Sequence, residues 1–279
     1  MPSESKAFAP GNISCIFKIY YNKNPRWMGS YGLGFTLNEG VIVAVRKSDK
    51  TMVSFNNKKI NMPTVKEVAN RLTNEKLDLQ IKTKLPLGYG FGLSGASALA
   101  ASYAINNLLK LKKTSKELAI IAHTAEVRNK TGLGDVVNQY YGGFFAKLQP
   151  SSYFVVKKIP INKSIVYCMY FSKIETKAVI TNTKLKNRIN KAASIALTKV
   201  ERLLNGNKAV NLRDIIEISK EFSTYSGLLK DKKTLQTINN IEKNSGKATM
   251  IMLGNALFSD APFDGAKKFC ISNKGAYLL

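Results

Sequence analysis

The sequence feature that most constrains the fold is a glycine-rich stretch at residues 85–103, LPLGYGFGLSGASALAASY. Its four glycines, Gly88, Gly90, Gly92 and Gly95, fall within eight residues, although glycine loses more conformational entropy on folding than any other residue. An alanine-rich run follows and predicts a helix over residues 96–109. Such a loop lets the backbone approach a ligand closely and directs N–H groups and the positive end of the helix dipole toward an anion. The stretch therefore predicts a phosphate-binding loop.

Two other glycine patterns fit the sequence less well. Residues 90–95 match the G-x-G-x-x-G pattern of dinucleotide-binding folds, but that pattern expects an acidic residue about 20 positions later. The nearest acid, Glu117, instead closes Thr114-Ser-Lys-Glu, which is typical of a capping box at a helix start. A Walker loop needs Gly-Lys-Ser/Thr, and Gly246-Lys247 is followed by alanine. A glycine-rich turn without a ligand remains the alternative.

A second glycine-rich turn presents a carboxylate. The helix predicted after Thr114 carries His123 and Glu126, which are three residues apart and therefore lie on one face. A Gly-Leu-Gly segment then ends the helix just before Asp135. His123 is the one histidine of the chain, and its place on the Glu126 face predicts that the imidazole points into the same cleft and hydrogen-bonds a substrate. A structural histidine within the helix packing is the alternative.

Two further side chains are candidates for contact with a substrate. Ser30 lies in the segment GSYGLG at residues 29–34, which predicts either a hairpin turn or a turn that lines an acceptor pocket. Lys147 lies on a strand predicted over residues 140–148, on the same side as Phe145. Its ammonium group is expected to face either the negative charge of an acceptor or solvent.

The phosphate-loop motif resembles that of the GHMP kinases, the small-molecule kinase superfamily that includes galactokinase, homoserine kinase and mevalonate kinase. The family loop has the form P-x-x-x-G-L-G-S-S-A-A, and residues 86–96 match it with Leu93 in place of the first serine and Ser94 at the second. The resemblance implies that ATP is bound by this loop. The expected ATP-binding residues are Pro86, Gly88, Tyr89, Gly90, Phe91, Gly92, Leu93, Ser94, Gly95 and Ala96.

The resemblance also implies roles for the carboxylates. The family pattern of a helix glutamate followed by an aspartate in a glycine-rich turn matches Glu126 and Asp135. It implies that Ser94 and Glu126 hold Mg²⁺, which prefers carboxylate and phosphate oxygens. It also implies that Asp135 is the catalytic residue, which orients and deprotonates the acceptor hydroxyl. The residues then expected to bind the substrate are Ser30, His123 and Lys147.

The first family motif is matched with one departure. The segment Ala9-Pro-Gly11 is often followed by lysine in the family, but Asn12 stands there, and Lys6 is the nearest candidate for the role of that lysine. Four segments, APGNIS, GFGLSGASAL, TGLGDVV and MLGNA, together resemble the archaeal pantoate kinases of coenzyme A synthesis over residues 7–279. This resemblance implies phosphorylation of the primary hydroxyl of pantoate. Homoserine and mevalonate stay open as alternative acceptors.

The expected architecture is α+β with two domains. The sequence pattern changes near residue 150, beyond which strands are mixed with amphipathic helices predicted near residues 185–204, 212–222 and 233–243. Residues 1–150 are expected to form an N-terminal α/β domain with the phosphate loop. The resemblance implies that residues 151–279 form a ferredoxin-like domain, that the active site lies between the two, and that a homodimer is compatible with the fold.

The net charge of +25 is compatible with a nucleic-acid-binding surface, which is the function of a second class that the sequence suggests. Against it, the lysines are spread along the whole chain and arginine, which base and phosphate recognition usually needs, is sparse. We therefore expect no nucleic-acid partner and attribute the charge to coding bias and to attraction for ATP and an acidic substrate.

No apolar run approaches the roughly 20 residues of a membrane span, and no apolar stretch precedes the first motif. The three cysteines are widely scattered, without a C-x-x-C pair. The sequence therefore predicts a cytoplasmic protein with reduced cysteines and no membrane partner.

Overall fold

The computed structural model describes residues 3–161, 165–206 and 209–279, which form two β-sheets with helices packed on them. The strands of the larger sheet are β1 (Ser5–Tyr20), β2 (Gly29–Lys47), β3 (Met52–Phe55), β4 (Lys58–Lys59), β5 (Leu77–Thr83), β6 (Phe144–Lys147), β7 (Lys157–Lys158) and β12 (Tyr277–Leu278). Their order is β12-β1-β2-β5-β3-β4, while β6 pairs with β2 and with β7. All pairs are antiparallel except β3 with β5.

The smaller sheet is fully antiparallel. Its strands are β8 (Ile165–Lys173), β9 (Ala248–Met250), β10 (Gly254–Ser259) and β11 (Lys267–Cys270). They are ordered β11-β8-β10-β9, so the first strand of this sheet lies between its third and its fourth, as in ferredoxin-like folds. The second crossover of that fold, which is usually a helix, is here the short connection of residues 260–266. The predicted α+β, GHMP-type fold is confirmed.

Helices cover both sheets. Those on the larger sheet are α1 (Pro63–Leu72), α2 (Leu93–Leu108), α3 (Ser115–Asn129) and α4 (Asp135–Tyr141). Those of the C-terminal half are α5 (Thr176–Thr181), α6 (Thr183–Asn205), α7 (Leu212–Ser226) and α8 (Lys232–Lys243), and a short 3₁₀ helix spans Ser151–Tyr153. Helix α2 is almost entirely buried, because it packs against β1, β2, α1 and α3. Its alanines permit this close approach from several sides.

Three local predictions differ from the structure. Helix α2 begins at Leu93 rather than at Ala96, because Gly92 turns the backbone with a φ of 62°. Tyr140 and Tyr141 end helix α4 instead of starting a strand, and the chain reverses after them at two glycines. Residues 29–34 lie inside β2 and form no turn. A Cβ on Gly32 would collide with the Ile16 carbonyl of β1, so glycine is needed there for close strand pairing.

The two halves of the chain are joined at several places. Strands β7 and β12 come after residue 150 in the sequence, yet they pair in the larger sheet. Helix α6 also packs on β1. Apart from these two short strands, the predicted division at residue 150 separates the two sheets. Whether it is a domain boundary stays a prediction. No helix within the described ranges combines the length and apolar character that crossing a bilayer requires.

Candidate active site

A cavity of about 430 Å³ lies where the start of α2 meets the glycine-rich turn before α4. Strands β1 and β6 form its inner wall, and residues of α5 and of the turn between β9 and β10 close the opposite side. It therefore lies between the two halves of the chain, as the sequence predicts.

The loop at residues 86–92 is shaped by glycines and leads directly into α2. Gly88, Gly90 and Gly92 have φ values of 91°, 88° and 62°, which side-chain-bearing residues rarely adopt. Gly92 caps α2 without a side-chain hydrogen bond, whereas Thr114 forms a full capping box on α3. The N-cap residue of α2 thus offers its first N–H groups no side-chain acceptor, which suits an anion at this helix end.

Six of the ten predicted ATP-binding residues line the cavity. They are Gly88, Gly90, Phe91, Gly92, Leu93 and Ser94. The other four, Pro86, Tyr89, Gly95 and Ala96, do not line it, and their part in ATP binding stays a prediction. The Tyr89 ring packs edge-on against Tyr170, with centroids 5.2 Å apart. Gly95 and Ala96 are buried on the inner face of α2, because the helix starts earlier than predicted.

The C-terminal half fixes the position of the phosphate loop. A Cβ on Gly254 would collide with the Tyr89 carbonyl, so the turn between β9 and β10 packs directly on the loop backbone. The Ile174 N–H donates to the Gly88 carbonyl at 3.3 Å. On the opposite side, the Asn12 N–H of β1 donates to the Phe91 carbonyl at 2.9 Å. The loop is therefore held by both sheets.

Asp135 is the first residue of α4 and lines the cavity. Its Oδ1 accepts hydrogen bonds from Asn12 Nδ2 at 2.7 Å and from Ser14 Oγ at 3.2 Å. Burial raises the pKa of the Asp135 carboxyl above its ordinary value, and Lys147 and the two hydrogen-bond donors oppose this rise. The group can therefore both accept a proton and stay oriented.

Lys147 is almost fully buried on β6, with 3% of the residue exposed, and it lines the same cavity. Its Nζ donates to the Gly134 carbonyl at 3.1 Å and to Asn138 Oδ1 at 3.3 Å. Burial lowers the pKa of Lys147 to about 8, although the charge of Asp135 favours the ammonium form. The alternative of a solvent-facing strand lysine is therefore wrong.

Glu126 is fully buried and lies against Gly132, which lines the cavity. Among the described residues neither carboxylate oxygen makes a hydrogen bond of ordinary geometry, although the Val136 N–H lies near enough to favour the ionised form. A Cβ on Gly132 would lie 2.5 Å from Oε1, and one on Gly95 would lie 2.9 Å from Oε2, so both glycines make room for this carboxylate. Burial raises the pKa of Glu126 well above its usual range, Asp135 raises it further, and Lys147 and the Val136 N–H offset this in part.

The residues around Glu126 fit a divalent cation. A buried carboxylate without partners is costly unless a cation or a proton joins it. Ser94 stands in the first turn of α2, and its Oγ donates to Thr64 Oγ1 at 3.3 Å. No group of three or more His, Cys, Asp or Glu residues that could hold a metal occurs in the described part of the chain. A cation here would thus depend on Glu126, Ser94 and oxygens of a bound ligand.

Ser30 lines the cavity from β2, as expected for an acceptor-binding residue. A Cβ on Gly134 would lie 2.5 Å from Ser30 Oγ, so strand and turn are in close contact. Ser151 of the 3₁₀ helix supports both elements, since its Oγ accepts from the Ser30 N–H at 2.9 Å and donates to the Leu133 carbonyl at 2.6 Å. Sequence reasoning missed Ser151, which follows a proline and belongs to no motif.

His123 does not line the cavity, contrary to the sequence-based expectation. It is fully buried, with Nε2 at 2.9 Å from the Met28 carbonyl and its ring packed edge-on against Phe154. Burial lowers the pKa of His123 to about 4, so the imidazole is neutral near pH 7. It shares a helix face with Glu126, but the residues that cover it separate it from the cavity.

Lys6 is also excluded from the site. Its Nζ pairs with Glu4 at 2.7 Å on the surface, so it does not replace the family lysine that is missing at position 12. The site instead contains Asn12, Ser14 and Asn138, whose roles the sequence did not reveal. Asn12 could have been found because it stands at a motif position, and Asn138 because it lies one helical turn after Asp135.

The family model for the N-terminal domain of GHMP kinases matches residues 61–143, which span α1 to α4 and include the phosphate loop, Glu126 and Asp135. The four helices, the phosphate loop and the two acidic residues therefore define the class of the protein as a GHMP-type kinase. The chain is 34% identical to the pantoate kinase of Methanocaldococcus jannaschii over 90% of either chain. It is 30% identical to that of Methanospirillum hungatei over 91% of this chain and 86% of the relative.

A solved structure described as a phosphotransferase related to the coenzyme A biosynthesis pathway has the same fold. It superimposes with a TM-score of 0.84 at 23% identity and covers 99% of this chain and 98% of its own. The chain belongs to the GHMP kinases and, within them, to the pantoate kinase family. It is accordingly an ATP-dependent small-molecule kinase.

Proposed function

We propose that the protein transfers the γ-phosphoryl group of ATP to the primary hydroxyl of (R)-pantoate, giving 4-phosphopantoate and ADP in coenzyme A biosynthesis. The observation that carries this proposal is that Asp135 and Lys147 line the same cavity as the phosphate loop. The pantoate kinase relatives support the choice of acceptor.

The phosphate loop is proposed to bind the triphosphate through backbone N–H groups at the start of α2. Lys130 and Lys177 also line the cavity and add positive charge where a polyanion would enter. The net charge of +25 favours attraction of both ATP and an acidic acceptor from a distance.

Ser94 and Glu126 are proposed to hold Mg²⁺. The unpartnered oxygens of Glu126 support this assignment. When bound, the ion would neutralise charge on the β- and γ-phosphates, which lowers the barrier to phosphoryl transfer.

Asp135 is proposed to orient the acceptor hydroxyl and take its proton. Asn12 and Ser14 occupy Oδ1, which leaves Oδ2 for the hydroxyl. The hydroxyl oxygen forms a bond to the γ-phosphorus while the bond from that phosphorus to the β–γ bridging oxygen breaks, and ADP leaves with that electron pair. Proton acceptance of this kind contributes about 10²- to 10⁴-fold in rate.

Ser30 and Lys147 are proposed to bind the acceptor. An ammonium group carries three N–H donors, and within the described ranges Gly134 and Asn138 account for two of those of Lys147. The third is available to an acceptor oxygen. His123 has no part in this proposal, because it lies outside the cavity.

The test is an ADP-release assay with Mg-ATP against pantoate, homoserine, mevalonate and pantothenate in parallel. Turnover on pantoate alone is the expected result. Turnover on a different alcohol would support phosphoryl transfer from ATP but contradict pantoate as the acceptor. No turnover on any of the four compounds would contradict the proposal as a whole. The Asp135→Asn variant serves as the blank for contaminating kinases.

Nucleic-acid binding is the alternative that the charge suggests. A salt titration distinguishes it, because binding to a phosphate backbone weakens steeply with salt, whereas turnover of a small substrate in a cavity depends on salt far less. A homodimer, which the fold allows, stays a prediction. Light scattering of the purified protein would measure the oligomeric state.

A further inference from the structure

A continuous hydrogen-bond chain links Lys147 to Asp135 through two asparagines. Lys147 Nζ donates to Asn138 Oδ1 at 3.3 Å, and Asn138 Nδ2 donates to Asn12 Oδ1 at 2.8 Å. Asn12 Nδ2 then donates to Asp135 Oδ1 at 2.7 Å. Asn12 and Asn138 are both fully buried, so water does not compete for these bonds.

The two ends of the chain fix its direction. A lysine ammonium group has only donors, and a carboxylate has only acceptors. Asn138 must therefore present its oxygen to Lys147, and Asn12 must present its NH₂ group to Asp135. The bond between the two amides satisfies both requirements in this single arrangement.

The hydrogen-bond chain connects a positive charge to a site whose first motif lacks the lysine that the family often has. Asn12 stands where the family often has lysine, and it is packed tightly, since a Cβ on Gly92 would lie 3.2 Å from the Asn12 Cβ. The ammonium group comes instead from β6, on the far side of two amides. Aligned amide dipoles in a dry interior polarise one another, so each bond strengthens the next.

We propose that Asn12 and Asn138 are positioning residues that couple Lys147 to the Asp135 carboxylate and hold Oδ2 of that carboxylate toward the acceptor. This inference rests on the proposed function, because it assigns work to Asp135 as the residue that receives the hydroxyl proton. Neither asparagine touches the substrate in this role; both act through Asp135.

The variants Asn12→Asp and Asn138→Asp of the whole protein test the hydrogen-bond chain. Each change keeps the side-chain shape but replaces an NH₂ donor with an acceptor, which breaks the chain at one link. We expect kcat to fall on the order of 10- to 100-fold, as for loss of other preorganised donors. The Kd for ATP should change far less, because the backbone N–H of Asn12 that binds the Phe91 carbonyl of the phosphate loop is kept.

Asn190→Asp is the matched control. Asn190 makes two hydrogen bonds to the backbone of Ile19 on β1, away from the cavity. Its substitution should lower Tm but leave kcat within about twofold, which is the pattern of a purely structural asparagine. If the two site variants showed this same pattern, the chain would have no positioning role.

A double-mutant cycle provides the second measurement. Both asparagines belong to the same hydrogen-bond chain. The kcat of the Asn12→Asp/Asn138→Asp double variant should therefore be no more than about threefold below that of the worse single variant. Losses that multiply would overturn the proposal. Should circular dichroism show an unfolded aspartate variant, Asn12→Ser and Asn138→Ser replace it, with the same expectations for kcat and for coupling.

Failure of this inference and failure of the proposed function are distinguishable. If the wild-type protein turns over pantoate and the variants keep kcat, the chain proposal fails and the function stands. If the wild type prefers another alcohol, the proposed acceptor fails, and the cycle measured with that alcohol still decides whether the chain positions Asp135.

Discussion

Asp135 and Lys147 form the residue pair on which the proposed chemistry depends, and burial acts on both in the direction of neutrality. It raises the pKa of the aspartate and lowers that of the lysine. Each charge nevertheless favours the ionised form of the other. Burial of the two groups together therefore limits the shift of each pKa, and substitution of either one should affect the other.

Asp135→Asn should reduce kcat by about 10²-fold or more, because the amide accepts no proton from the acceptor hydroxyl. The Kd for ATP, measured by calorimetry, should change little, since the side chain does not belong to the phosphate loop. Turnover close to that of the wild type would remove Asp135 from the role of proton acceptor.

The kcat of the wild type should decline as pH rises through about 8. The pKa of Lys147 is lowered to about 8 by burial, so its positive charge is present below that pH and is lost above it. In Lys147→Arg the guanidinium group stays charged throughout this range. The variant should lack the decline even if its kcat is lower overall, as a pH–rate profile would show. An unchanged decline would assign the titration to another group.

The sequence predicted those site residues that stand at fixed positions relative to its glycine-rich motifs. Ser94 and Asp135 stand next to glycines, Glu126 lies on the helix just before the second glycine-rich turn, and the structure brings all three to one region. It missed the partners of Asp135, because hydrogen bonds between β1 and α4 join residues more than 120 positions apart. It misplaced His123, because helical periodicity gives the face of a residue but not what covers that face.

Helix α2 is the element that connects the phosphate loop with the buried acid. Gly95 lies on its first turns, where a Cβ would be 2.9 Å from both Glu126 Oε2 and Gln139 Oε1. Gln139 is itself oriented by a bond from its Nε2 to the Gly92 carbonyl at 2.8 Å. The same helix therefore shapes the anion site at its end and the carboxylate environment on its side.

Gly95→Ala should raise the Mg²⁺ concentration required for half-maximal activity on the order of tenfold, because the added methyl displaces the Glu126 carboxylate. Ala98→Gly on the same helix is the control. It should cost more than about 1 kcal/mol of stability, because the loss of helix propensity is joined by the loss of a buried methyl group, and it should leave the Mg²⁺ requirement unchanged. Equal Mg²⁺ dependence in Gly95→Ala and the wild type would contradict a role of Glu126 in holding the ion.

At the level of elements, the sequence predicted those with strong local signals. The capping box at Thr114 marks the start of α3, and amphipathic periodicity predicts α6, α7 and α8. The seven-residue helix α4 was not predicted, because its aromatic end resembles a strand. The length of β2 was also missed, since glycines that mark turns in most sequences are required here by close pairing with β1.

At the level of the whole molecule, His123 should make stability depend on pH. Its pKa is lowered from 6.5 to about 4, so the folded state favours the neutral imidazole. This contribution to stability is complete above about pH 6.5 and is lost as pH falls toward 4, because the unfolded chain then binds the proton first. The loss amounts to about 3 kcal/mol.

His123→Gln should remove this part of the acid sensitivity while its amide retains a donor for the Met28 carbonyl. Urea unfolding of both proteins at neutral pH and near pH 4 gives the comparison, in which other titrating groups contribute equally and cancel. An equal acid-induced loss of stability in the two proteins would show that His123 is accessible to protons in the folded state.

The position of β12 beside β1 also bears on how the chain is synthesised. Residues 277–278 pair with Ala7 and Phe8, so β1 has one unpaired edge until more than 250 further residues have been added. At translation rates of roughly 5–20 residues per second, this lasts about 13 to 50 s. An open strand edge is a template for pairing between nascent chains. Strand β12 thus covers its part of the β1 edge only late in synthesis.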